Sequence, residues 1–109
     1  MTHKGTATFI AQRASAVILL PLTLWFLAGA VAHAGASYEE VRAWLAAPIN
    51  AGLMGLFILT GAFHMRIGVN EIIDDYISAG ARGLWKLLNA FTATAVAGVA
   101  LYSLVKLAA

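Results

Sequence analysis

The stretch that decides the fold is residues 14–34, ASAVILLPLTLWFLAGAVAHA, which contains no aspartate, glutamate, lysine or arginine. A helix rises about 1.5 Å per residue, so about 20 consecutive apolar residues cross the hydrocarbon of a bilayer. This run has that length. Pro21 lies inside it, and membrane helices tolerate proline where a neighbour or a local adjustment satisfies the released carbonyl. Lys4 and Arg13 precede the run and AHA closes it, so a cleaved signal peptide is the competing reading. The apolar core of such signals is only about 7 to 15 residues long, and two further spans follow, which favours a retained helix.

The second run starts at Pro48, a residue suited to the first turn of a helix because its missing N–H has no partner there. It continues as INAGLMGLFILTGAFHMRIGVNEII, with His64, Arg66 and Glu71 entering in its last third. The third run, residues 84–108, reads LWKLLNAFTATAVAGVALYSLVKLA and is free of charge between Lys86 and Lys106. Lysines at both ends of a span can reach the headgroups while their stems stay in the apolar region. Trp85 and Tyr102 suit the interfaces. These runs predict an all-α membrane protein with transmembrane helices near 14–34, 49–72 and 85–107, forming one anchor domain within a larger helical bundle.

The whole composition agrees with lipid as the solvent. The chain has 109 residues, of which 61% are hydrophobic, and its mean hydropathy is +0.83. A water-soluble domain of this size would need more polar surface than that leaves. Cysteine is absent, which excludes disulfides and thiolate metal sites. The net charge is only +2 and its basic residues are scattered along the chain, unlike the concentrated basic face of a nucleic-acid binder.

Those basic residues also suggest an orientation. A cytoplasmic N-terminus puts Lys4, Arg13, Arg66, Arg82 and Lys86 inside, leaving Arg42 and Lys106 outside and the C-terminus periplasmic. The outside connection contains SYEEVRAWLAA, where Ser37 and Glu40 have the spacing of a capping box. A short helix near 38–46 is expected there.

Within the second span, Gly61, His64 and Gly68 fall on one helical face. Glycines beside the histidine remove side-chain bulk, which would let a planar group such as a porphyrin approach while His64 reaches its metal. The same pattern also suits close helix packing with Gly52 and Gly55, with His64 simply bonding across the bundle. Spacing leaves both readings open, together with a proton path. His3 lies in the polar N-terminal tail and His33 at the far end of the first helix, so both are poorer internal candidates.

A second cluster follows in NEIIDDYISAGARG, residues 70–83. Asp74, Asp75 and Tyr76 suit a solvated helix end, and equally a headgroup pocket in which the tyrosine hydroxyl donates to a carbonyl beside a carboxylate. Arg13, on the same side, offers a fixed positive charge to a propionate or to a developing quinone anion. His64 and Tyr76 would be roughly 18 Å apart on a continuous helix. That spacing separates a deeper metal group from a headgroup nearer the surface.

The stretch FHMRIGVNEIIDDYI, residues 63–77, resembles the histidine to Asp-Tyr signature of the small hydrophobic membrane-anchor subunit of bacterial succinate dehydrogenase. GTATFIAQRASAVILLPL, residues 5–22, is similar to the start of that protein's first helix, including the basic residue at Arg13. The spacing of Gly5, Arg13, His64, Arg66, Gly68, Asp75 and Tyr76 carries the resemblance, and the three-span layout extends it over nearly the whole chain.

The resemblance implies a chain that is catalytically inert alone and serves a succinate:ubiquinone oxidoreductase in the bacterial inner membrane. It implies one haem b shared with a second membrane-anchor subunit, with His64 as one axial ligand to the iron. It further implies that Tyr76, with Asp75 beside it, contacts the ubiquinone headgroup, that Arg13 lies in the haem and quinone region, and that Arg66 serves a haem propionate or the interface. The partners implied are that second anchor, an iron–sulfur subunit and a flavoprotein subunit, with lipid around the anchors. Two alternatives remain from the sequence: a haem-free structural membrane subunit, and the anchor of a related fumarate reductase.

Overall fold

A computed structural model describes residues 4–109, so the reading of His3 lies outside the described residues. The described residues form four helices: α1 Lys4–Ala32, α2 Tyr38–Ala46, α3 Pro48–Tyr76 and α4 Ala79–Ala108. There is no strand among the described residues. Three of the helices, α1, α3 and α4, are long and apolar enough to cross a membrane. The bundle extends 49 Å along its longest axis, comparable with a bilayer including its headgroup layers.

The long helices overrun the apolar runs that announce them. Hydropathy marks only the residues in hydrocarbon, whereas the helical hydrogen-bond ladder continues into the headgroup region, so α1 already begins at Lys4 and α3 carries Asp74, Asp75 and Tyr76 on its last turn. α1 passes through Pro21 unbroken. It stops at Ala32, short of residue 34, where Gly35 takes a φ of 80°, a left-handed conformation that favours glycine and turns the chain toward α2.

Ser37 caps α2, its hydroxyl accepting the Glu40 N–H at 3.2 Å, and Glu39 and Glu40 complement the positive end of the helix dipole. α3 follows almost at once, with Pro48 in its first turn. At the other end, Ile77 and Ser78 are extended, and Arg82 donates through Nε to the Ile77 carbonyl at 2.9 Å. That bond ties the α3–α4 turn.

α3 occupies the middle, packing against α1 on one side and α4 on the other, while the backbones of α1 and α4 do not approach each other. α2 covers the end formed by the start of α3 and the finish of α4. Such an open layer has almost no core. Only Leu22, Ile73, Ala93, Leu104 and Ser15 are buried among the described residues, and large apolar side chains such as Val17, Leu20, Phe91 and Val99 face outward.

Because lipid tails are as apolar as leucine, packing and polar contacts must hold these helices together. Phe26 and Phe57 stack at 4.9 Å between α1 and α3. Asn89 of α4 donates through Nδ2 to the Arg66 carbonyl and to Asn70 Oδ1 of α3, each at 2.9 Å. Nearby, Lys86 and Asp74 form an ion pair at 2.6 Å.

Candidate functional site

Where α1 crosses α3, Gln12, Ser15 and Leu19 of α1 meet the glycine face of α3. The nearest atom to a Cβ added at Gly61 would be Leu19 Cδ2, and at Gly68 it would be Gln12 Nε2, each 4.0 Å away. The two glycines therefore flank the histidine as their spacing predicts, but the space beside them belongs to α1. An added methyl would make ordinary contact, so these glycines are not required for close approach within this chain. Gly52 has open space around it.

Between the two glycines, His64 Nδ1 lies 2.8 Å from Ser15 Oγ of α1. Ser15 Oγ is also 3.0 Å from the Gln12 carbonyl, one turn back on its own helix. The serine is only 4% exposed and is the sole buried polar residue among those described. A carbonyl can only accept, so both contacts are hydrogen bonds at once only when Ser15 donates to Gln12 and accepts the Nδ1–H of His64. In that tautomer the ring's lone pair is on Nε2.

Nε2 has no hydrogen bond among the described residues, yet no buried side-chain nitrogen or oxygen there lacks a partner. It follows that Nε2 reaches the surface of the helix pair. Alongside Ser15 runs an open apolar groove of about 310 Å³, lined by Ala11, Ala14, Ser15 and Ile18 of α1 and by Leu59, Thr60 and Phe63 of α3. The arrangement presents one imidazole nitrogen at the surface of the helix pair; the apolar groove itself is lined by His64's partner Ser15 and by its chain neighbour Phe63, not by His64. Among the described residues no group of three or more histidines or carboxylates converges to hold a bare metal ion.

Arg13 is two residues before Ser15, and its guanidinium sits 5.5 Å from the centre of the Phe9 ring. Arg66 is two residues after His64. Both arginines are exposed and neither makes an ion pair among the described residues. The structure thus leaves two free cations at the level of the histidine.

α3 is continuous from His64 to Tyr76, so the two lie roughly 18 Å apart along the axis. Eleven residues complete three turns plus about 20°, which returns Asp75 to the face of His64; Tyr76 is about 120° away and Asp74 about 80° away. Both carboxylates are exposed, and Asp74 pairs with Lys86 whereas Asp75 makes no ion pair among the described residues. Tyr76 is 82% exposed at the end of α3. A polar cavity of about 400 Å³ adjoins them, lined by Gly5, Thr8, Ile67, Asn70, Glu71, Asp74 and Lys86; Asp75 and Tyr76 are not in its lining.

His33 belongs to the opposite end. Its Nδ1 donates to the Gly29 carbonyl at 2.7 Å and its ring lies 4.7 Å from that of Trp44. Eighteen residues, about 27 Å along the helix axis, separate it from Ser15. It does not join His64.

Sequence reasoning missed Ser15. A hydroxyl at the edge of an apolar run does not alter hydropathy, and its partner is 49 positions away. The only local signal is that serine stands on the same side as Ala11 and Ile18, where a helix of this kind packs closely.

Comparison with known proteins agrees with this architecture. The sequence profile of the succinate dehydrogenase/fumarate reductase transmembrane subunit family matches residues 1–101. The succinate dehydrogenase hydrophobic membrane anchor subunit of Paracoccus denitrificans is 31% identical over 105 residues, which cover 96% of this chain and 81% of that protein. The protein of the same name from Rickettsia bellii (strain RML369-C) is 29% identical over 105 residues, covering 96% and 77%. No solved structure gives a significant match. With a profile that spans nearly all of its length and three membrane-length helices, the chain belongs to the succinate dehydrogenase/fumarate reductase transmembrane subunit family, as a membrane anchor.

Proposed function

We propose that this anchor supplies His64 as one axial ligand of a haem b shared with a second membrane anchor, and that its α3 terminus helps form a ubiquinone-reduction site. The observation that carries the reading is the state of the imidazole: Nδ1 is engaged by Ser15 and Nε2 is unpartnered at the surface of the helix pair. A neutral nitrogen with a free lone pair is the donor that haem iron takes, and a single histidine leaves the opposite ligand to another chain. The groove beside Ser15 is open and almost wholly apolar, with Ala11 and Ala14 on its α1 side, which suits a flat apolar ring lying against the helix pair.

When bound, haem b would supply a one-electron store. Around it, Arg13 and Arg66 offer unpaired guanidinium groups to propionates or to charge developing on the quinone. Tyr76 presents its hydroxyl as a donor to a quinone carbonyl, and Asp75 stands beside it to orient that hydroxyl or relay a proton. Tyr76 is largely exposed in the isolated chain, which is what a side chain completing a pocket at a junction between chains requires.

As an anchor the chain works in a complex with other proteins. We assign these as a second anchor with the opposite haem ligand, an iron–sulfur protein seated at the Tyr76 end and a flavoprotein that oxidises succinate. The N-terminus lies in the cytoplasm of a bacterial inner membrane, because the Tyr76 end gathers most of the lysines and arginines. Both relatives named above are succinate dehydrogenase anchors, which supports the direction from succinate to ubiquinone.

The test is a reduced-minus-oxidised absorption spectrum of the purified complex. A b-type spectrum that disappears in His64→Ala is expected. An unchanged spectrum in that variant sinks the ligand assignment.

A further inference from the structure

We infer that Ser15 is the positioning residue for His64, holding the imidazole in the tautomer whose Nε2 is free to ligate and tuning the strength of that donor. The inference rests on the reading of His64 as a haem ligand, and concerns how this chain prepares it.

Counting hydrogens fixes the arrangement. Ser15 Oγ lies within bonding distance of two atoms, the Gln12 carbonyl at 3.0 Å and His64 Nδ1 at 2.8 Å. A serine has one hydroxyl hydrogen, and the carbonyl has none to give. Both bonds are satisfied together only when Ser15 donates to Gln12 and His64 donates from Nδ1. The other arrangement, Ser15 donating to Nδ1, abandons the Gln12 bond and puts the imidazole proton on Nε2, where it blocks coordination. The Gln12 carbonyl therefore sets the polarity of the serine, and the serine sets the tautomer of the histidine.

Burial makes this choice firm. Ser15 is 4% exposed. Little water can substitute at the oxygen, and Thr60 is the one other polar side chain lining the apolar groove beside it. A fixed partner on the second nitrogen also stops the ring from rotating about its bond to the helix, so Nε2 keeps one direction.

The bond has an electronic consequence. An acceptor on Nδ1–H raises the basicity of Nε2, and a more basic axial nitrogen favours the ferric state over the ferrous. A hydroxyl is a weaker acceptor than a carboxylate, so the push is modest. Removing it shifts the haem toward reduction.

The experiment compares Ser15→Thr with Ser15→Val in the purified complex, a pair that differs by a hydroxyl in place of a methyl at nearly constant shape, with Ser15→Ala as a smaller companion in case valine impairs assembly. Haem content, the redox titration of the b-type band and the low-spin ferric resonance are the readouts. Threonine is expected to match the wild type. Valine and alanine are expected to retain haem roughly 10-fold less tightly and to raise the ratio of reduced to oxidised haem at the wild-type midpoint.

Variants without the hydroxyl that match the wild type in affinity, potential and resonance overturn the inference and leave His64 as the ligand. So does equal disturbance by threonine and valine, which marks packing alone. A wild-type complex with no b-type spectrum, or one unaffected by His64→Ala, instead overturns the ligand reading and the inference with it.

Discussion

The indole of Trp44 lies directly against Gly29: a Cβ at residue 29 would stand 2.5 Å from Trp44 Cη2 and 2.6 Å from Cζ2. The same indole stacks on Trp25 at 5.4 Å, and its backbone carbonyl accepts from Asn50 Nδ2 at 3.0 Å. Trp44 is thus the bolt that fixes α2 across the ends of α1 and α3. Gly29 is the notch that receives it.

Gly29→Ala is expected to destabilise the chain by about 1–3 kcal/mol, the usual magnitude of overpacking, because the indole must leave its seat. Thermal unfolding in detergent measures this, and Trp44→Phe in the same background should recover part of the loss. A Gly29→Ala protein with an unshifted transition would show that the indole moves aside freely.

Asn89 clasps α3 to α4 through two bonds made by one amide nitrogen. Interhelical hydrogen bonds in membranes contribute about 0.6 kcal/mol on average and up to about 1.7. Asn89→Leu should therefore lower stability by about 1 kcal/mol. In a double-mutant cycle with Asn70→Ala the two effects should be less than additive, since one bond is shared; strict additivity would exclude the coupling.

Tyr76→Phe removes a hydroxyl that no packing within this chain depends on, the residue being 82% exposed. The complex should assemble with its haem intact and oxidise succinate with an artificial soluble acceptor at close to the wild-type rate. Ubiquinone reduction should fall about 10-fold, the loss expected for one hydrogen bond to a reacting carbonyl. Equal loss in both assays would point to assembly instead of the quinone site.

The absence of native cysteine allows the orientation to be read directly. With the N-terminus in the cytoplasm, Glu39→Cys in α2 should react with a membrane-impermeant maleimide in intact spheroplasts. Gly80→Cys, at the start of α4, should react only after the membrane is opened. The reverse pattern would invert the topology.

Much of this molecule is written along the chain. Uncharged runs of membrane length fix three spans, Ser37 with Glu40 marks the α2 start, and Pro48 marks the start of α3, because hydropathy and caps depend on neighbours within a few residues. The glycine spacing likewise draws attention to His64 before any fold is known. Helix ends were less legible: α1 and α3 continue past their apolar runs, since a backbone ladder does not stop where the hydrocarbon does.

Residue order thus established the lipid-facing helical class, the number of spans and the residue types capable of chemistry. Packing in three dimensions selected which face of α3 meets α1, and with it that His64 bonds Ser15, that Asp74 is committed to Lys86, and that His33 belongs to the Trp44 cluster at the far end. The reason is physical. Spans and caps are properties of consecutive residues, whereas the tautomer of an imidazole depends on a hydroxyl 49 positions away and on the carbonyl that already holds that hydroxyl's hydrogen.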